Sequence, residues 1–434
     1  MASKTAAHGK KRSLRQRLRS IALFEQLGPG LITGAADDDP SGIATYSQAG
    51  AQFGFGLLWT LVLTFPLMVS IQLVSAHIGR ITGRGLAQNM GEVMPAPIVL
   101  SLVALLFVAN TINIGADVAA MGAAARLVAG GGEHVFTIFF ALLSIGLQMF
   151  IPYKRYARFL TVLTLSLFSY VALVFMIHLD WAQVALGMIG VNADLDKAAA
   201  VTIVAIFGTT ISPYLFFWQS SQEVEEVDHH PDQKPLTQAP EQAPRAFARM
   251  RVDTISGMAM SNLVALAIMI STAATLHAAG KTDIQSAADA AEALKPIAGD
   301  FAFALFSLGI IGTGLLAIPV LAGSAAYAIG ETRGWKVGLD NKPWEAIGFY
   351  LVIAAAVVLG IGIDYSGIDP IKALYWSAVL NGVIAVPIMA AMMYVAGNRK
   401  KMGKFTAGRS LSILGWTSTA VMAAAAIAMA VTSF

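Results

Sequence analysis

Cysteine is absent from the 434 residues, and charge is scarce, with Asp, Glu, Lys and Arg together making up 13%. Without a thiol there is no disulfide, no thiolate metal site and no cysteine nucleophile. Soluble domains are about a quarter charged, so this chain has too little charge to coat a water-facing surface. No catalytic pairing of nucleophile and base is evident. GIIGTG, ending at Gly314, lies inside an apolar run with no lysine after it, so it is not a phosphate loop. No soluble stretch is long enough for a sensory domain. What the chain has instead is apolar sequence, 56% of it.

Runs of roughly 17 to 25 apolar residues cross a bilayer as helices. They predict spans at 24–51, 54–78, 97–125, 134–152, 157–180, 198–221, 250–279, 300–330, 344–363, 371–396 and 409–433, eleven in all. The expectation is an all-α integral membrane protein with one transmembrane domain over 24–434, preceded by a basic tail, 1–23. That tail carries no short apolar core with a small-residue cleavage site, so it reads as cytoplasmic, not as a removed leader. Placing it inside puts all but five of the 29 basic residues on that side, the exceptions being Arg126, Lys197, Lys281, Lys295 and Lys372. Phe434 then lies outside. The longest polar connection, 223–250, is rich in Pro and Gln and reads as a mobile loop.

Two spans are interrupted. In the first, Asp37, Asp38 and Asp39 precede Pro40, Ser41 and Gly42; in the sixth, Gly208, Thr209, Thr210, Ser212 and Pro213 fall mid-run. Proline lacks an amide proton and glycine tolerates unusual dihedrals, so both segments favour unwinding. Irregular backbone at membrane depth survives only where it is buried in protein or lines a cavity. Two such spans five helices apart point to a transporter of inverted repeats. The repeats would cover about 24–180 and 198–396, with 409–433 added.

A carboxylate at the bilayer centre costs about 2.5 to 3.5 kcal/mol even on lenient scales, so three in a row demand compensation. Carbonyls, hydroxyls and carboxylates together suit a hard cation. Helix geometry keeps all three from pointing one way, and capping of the second half-helix is the plainer use for some of them.

These breaks resemble those of the Nramp family of divalent metal transporters, over nearly the whole chain. The family's D-P-G-N matches Asp39-Pro40-Ser41-Gly42, and its A-T-V-M-P-H-N-L-Y-L-H-S matches the run from Thr209 through Ser212, Pro213, Tyr214 and Gln219 to Ser220. GPGLITGAA and GADVAAMGAAARL are family-like too. The resemblance implies a leucine-transporter-like 5+5 inverted repeat with discontinuous helices 1 and 6, working by alternating access. It implies Asp39 as direct carboxylate ligand, with backbone carbonyls from Ala36 and Thr209. Beside these, Asp37 and Asp38 are read as lining the approach or holding waters.

The departures from the family pattern carry the ion assignment. Gly42 stands where the family has an asparagine ligand, and Ser212 where it has methionine. Loss of a soft thioether removes a preference for manganese and iron, and loss of the amide leaves a roomier site. Magnesium keeps several waters, so the pattern resembles the Nramp-related magnesium transporter branch, with manganese also passing. Tyr214 and Gln219 replace two histidines, Ala120 replaces a glutamate near Asp117, and helix 9 lacks arginine, so uncoupled transport is expected. Asp117 and Asn381, the latter beside Gly382, are secondary candidates.

Other readings compete with this one. A proton-coupled manganese or iron importer shares the fold, and an amino-acid transporter would need amide donors where the aspartates stand. His229 and His230, beside Glu223, Glu225, Glu226 and Asp228, form a possible cytosolic metal cluster but more commonly such a run is a solvated face. No cofactor, nucleic acid or obligate protein partner is implied; the partners are the ion and the lipid of a bacterial inner membrane.

Overall fold

A computed structural model describes residues 29–132, 134–151, 165–191 and 195–433. The basic tail, residues 24–28 of the first expected span, residue 152 of the fourth, 157–164 of the fifth and Phe434 lie outside the described residues. Every regular element among the described residues is helical.

The elements follow the expected order. The first span is split into α1a (Pro29–Asp37) and α1b (Pro40–Phe53), followed by α2 (Leu58–Thr82), α3 (Ala96–Ala129), α4 (Val135–Phe150) and α5 (Phe168–Met176). The sixth is split into α6a (Lys197–Thr210) and α6b (Pro213–His229). Then come α7 (Ala243–Thr272), α8 (Ala302–Arg333), α9 (Ile347–Ile361), α10 (Pro370–Gly397) and α11 (Arg409–Ser433). Short helices at Leu86–Val93 and Trp181–Met188 were not expected, being too short to register as spans.

Seven helical stretches among the described residues are long and apolar enough to cross a membrane. Val135–Phe150, Leu165–Met176 and Ile347–Ile361 are apolar but shorter. The surface supports a lipid setting. Leu100, Phe139, Leu142, Phe175 and Val431 are exposed, while Asp37, Asp39, Asn113, Asp117 and Gln219 are buried. Water would favour the reverse.

Close backbone contacts set the positions of the broken helices. α1a lies along α7, where Gly34 meets Gly257 with no room for a Cβ and the Gly30 amide donates to Asp253 Oδ2 at 2.7 Å. α6a lies against α10 through Gly208 and Gly382, again without space for a side chain.

The polar connection differs from its expected form. α6b continues to His229 and α7 begins at Ala243, so the strap between them spans only 230–242 and ends in a 3-10 turn, Pro240–Gln242. It is also pinned: Arg80 donates to Lys234 O at 2.5 Å and Gln242 Oε1 at 3.0 Å, and Leu236 N donates to Arg80 O at 3.2 Å. The acidic run that reads as loop by composition is helical because its charges find partners. Glu223 pairs with Arg249, and Glu225 accepts from Tyr327.

Candidate functional site

Both interruptions are true breaks, and each is built from its own local chemistry. α1a stops at Asp37, and Asp39 caps α1b: its Oδ1 accepts from Gly42 N at 2.8 Å and from Ser41 Oγ at 2.6 Å. Pro40 opens α1b, where a missing N–H costs nothing. In the sixth span Ser212 is extended, at φ −74 and ψ 129, and Pro213 opens α6b. The Ser212 hydroxyl turns back to the Gly208 and Thr209 carbonyls, both at 2.9 Å, and its one proton serves either of these acceptors that the break has freed.

The breaks face each other. A Cβ added at Gly42 would lie 3.1 Å from Thr209 Oγ1 and 3.3 Å from the Tyr46 ring. Tyr214, one residue into α6b, donates its hydroxyl to the Ala36 carbonyl at 3.3 Å. The structure thus brings Ala36, Asp39 and Gly42 up against Thr209, Ser212 and Tyr214. It also corrects one expectation: the space beside Gly42 is not roomy, because the Thr209 hydroxyl and the Tyr46 ring fill it.

α3 and α10 complete this side. Asp39 Oδ2 accepts from Asn113 Nδ2 at 3.1 Å, and the same nitrogen donates to Asp117 Oδ2 at 3.2 Å. Asn381 Nδ2 donates to Asn113 Oδ1 at 3.0 Å. All four side chains are buried. The secondary candidates Asp117 and Asn381 therefore reach the break through Asn113, a residue that the sequence reading passed over. Its signal was present: Asn113 and Asp117 are four apart, on one helical face in an otherwise apolar run.

Asp37 and Asp38 point elsewhere. Ser261 of α7 lies 2.6 Å from Asp37 Oδ2 and 3.0 Å from Asp38 Oδ1, and its single proton serves one of them at a time. Gln219 sits further along α6b, accepting from Thr33 Oγ1 at 2.6 Å and reaching Glu223 Oε1 at 3.4 Å. The histidines of the polar segment do not gather. His229 bonds Glu225 O and Asp340 Oδ2, and His230 bonds Glu226 O. Among the described residues no three acidic or imidazole side chains converge as a metal group. The central position offers one carboxylate, Asp39, with neutral oxygens around it.

That donor set has consequences. The α1b amide needed to hold a substrate carboxylate is already taken by Asp39 itself. An amino acid finds a buried acid there, where it would need a free donor. Carboxylate, carbonyl and hydroxyl oxygens are ligands for a hard or borderline divalent cation.

The family model described as natural resistance-associated macrophage protein-like matches residues 30–432. The chain belongs to the Nramp family. Relatives include the divalent metal cation transporter MntH of Pectobacterium carotovorum, 27% identical over 398 residues and 90% of each chain. The protein of the same name from Yersinia pestis is 28% identical over 414 residues, covering 92% of this chain and 93% of its own. Among solved structures, the manganese transporter of Eremococcus coleocola, bound to an aromatic bis-isothiourea substituted compound, superposes with a TM-score of 0.73. It is 16% identical, over 94% of this chain and 86% of that one. Mhp1, a nucleobase-cation-symport-1 family transporter, gives 0.57 at 16% identity, over 93% and 90%. These likenesses establish a shared Nramp-type helical fold.

Proposed function

We propose that this Nramp protein carries divalent metal cations inward across a membrane, with magnesium as its principal ion and manganese also accepted. The observation that supports this most is the meeting of the two breaks, where Gly42 abuts Thr209 and Asp39 stands as the central carboxylate. Asp39 is the proposed direct ligand, with carbonyls from Ala36 and Thr209 and the Ser212 hydroxyl beside it. Asp37 and Asp38, turned toward Ser261, belong to the approach. Magnesium is favoured by the donor chemistry: a hydroxyl at 212 replaces the family's thioether, and hydroxyls and carbonyls do not select soft ions.

The domain reading accompanies this function. The spans would number eleven in one transporter domain, as a 5+5 inverted repeat, with the tail cytoplasmic and Phe434 outside in a bacterial inner membrane. Alternating access would rock the broken helices against the rest. Transport is proposed to be uncoupled from protons. Tyr214 bonds the Ala36 carbonyl where the family places an imidazole, and Gln219 bonds Thr33. An inside-negative potential drives a divalent ion inward by about 2.3 kcal/mol per charge per 100 mV without help. Asp117, fully buried with Oδ1 unpartnered, favours one second reading, a proton-coupled manganese or iron carrier that uses it as proton acceptor.

Uptake into liposomes containing a magnesium-sensitive dye decides between them. Magnesium influx that is lost in Asp39→Ala, without internal acidification, supports the proposal. Manganese influx with acidification and no magnesium signal supports the second reading.

A further inference from the structure

We propose that the Asn113 amide is a stand-in for the transported cation, holding the place between Asp39 and Asp117 while the carrier is empty. The inference rests on the reading of this site as a divalent-ion site and extends it to how the empty carrier returns.

Geometry carries the argument. One nitrogen, Asn113 Nδ2, donates to a carboxylate oxygen on each side, Asp39 Oδ2 at 3.1 Å and Asp117 Oδ2 at 3.2 Å. An amide NH2 has two hydrogens, and here both are spent on carboxylates. The amide cannot be turned the other way in this state, since its oxygen would then face two carboxylate oxygens. Asn381 Nδ2 holds that oxygen from α10 at 3.0 Å. Asp117 Oδ1 and Asn381 Oδ1 are buried without partners, so the cluster has acceptor capacity that no protein group uses.

A carrier that releases its ion must change conformation empty. Two carboxylates left bare in a buried site make that state costly. Donation from Asn113 lowers the cost. When an ion arrives, its charge replaces the two N–H bonds, the Asn113 amide withdraws from both carboxylates without joining the ion, and the bond to Asn381 opens. Asp117 thereby joins the ion's surroundings, and α10 registers whether the site is occupied.

The test separates net transport from exchange, using manganese alone. Net uptake into manganese-free liposomes needs the empty carrier to return, whereas exchange between manganese-loaded compartments does not. Asn113→Leu keeps the branching at Cγ, at somewhat greater bulk, and removes both donors. The expected result is a loss of net uptake of about tenfold or more with exchange held within about threefold and a lower KM. Adding Asp117→Asn, which removes one bare carboxylate and supplies an amide, is expected to restore much of the net uptake. Equal loss in both assays, or unchanged net uptake, overturns the inference. Should Asn113→Leu not fold, Asn113→Thr, with one donor in place of two, is read by the same ratio. A wild-type protein that moves no metal in either assay overturns the transport reading itself, and this inference with it.

Discussion

Thr209 Oγ1 lies 3.1 Å from where a side chain on Gly42 would begin, so residues 167 positions apart are in contact across two broken helices. A methyl at 42 forces the Thr209 hydroxyl to give way. Gly42→Ala is expected to destabilise the protein by about 1–3 kcal/mol and to lower magnesium uptake. Thr209→Ala, added to it, removes the obstructing hydroxyl. Thermal unfolding and uptake should then recover together, and a double variant no better than Gly42→Ala would place the two residues apart.

On the proposed function, the Ser212 hydroxyl is what sets the ion preference. Ser212→Met introduces the thioether and gives up the hydroxyl's bonds to the Gly208 and Thr209 carbonyls. Manganese uptake relative to magnesium is expected to rise by about tenfold, measured as competing influx into the same liposomes. An unchanged ratio would separate Ser212 from ion selection.

Much of this was legible in the sequence because the physics involved is local. Pro40 and Pro213 announce the breaks, and apolar run length announces the helices. Asp39 as a cap follows from its place one residue before Pro40. The long-range partners were not legible. Nothing within the first span says that Asp37 and Asp38 turn to Ser261, or that Asp39 meets Asn113. Those pairings depend on α3 and α7 packing beside the break, and Gly34 against Gly257 is visible only once both helices are placed. Composition also misled: the acidic run at 223–228 reads as loop, yet Glu223 is fully buried because Arg249 reaches it.

Ser261 should matter for stability beyond a single hydroxyl. Its proton is shared between Asp37 and Asp38, so Ser261→Ala leaves buried carboxylate oxygens short of a donor. A loss of about 1–3 kcal/mol is expected in unfolding, with Ser261→Thr close to wild type. Similar behaviour of the Ala and Thr variants would remove the hydroxyl from the account.

Outside the membrane helices, Lys281, then Lys295, hold the Glu292 carboxyl below its usual range, and Glu292 in turn raises Lys281. A depressed carboxylate stabilises at pH above its unfolded value and loses that contribution as pH falls through the lower, folded one. The segment around 281–295 should therefore hold at neutral pH and loosen in acid below the ordinary Glu range. The chain has no cysteine, so a spin label on Ala288→Cys reports this segment alone. Mobility that rises on acidification agrees, and rising mobility with increasing pH would reverse the sign.

On the proposed function, a divalent ion sits between the two breaks on Asp39. Anomalous diffraction from crystals grown with manganese tests it directly. The predicted result is a single strong peak at direct-ligand distance from an Asp39 carboxylate oxygen and beside the Ala36 and Thr209 carbonyls, absent in Asp39→Ala. A peak remote from Asp39, or one that persists in that variant, would contradict the account.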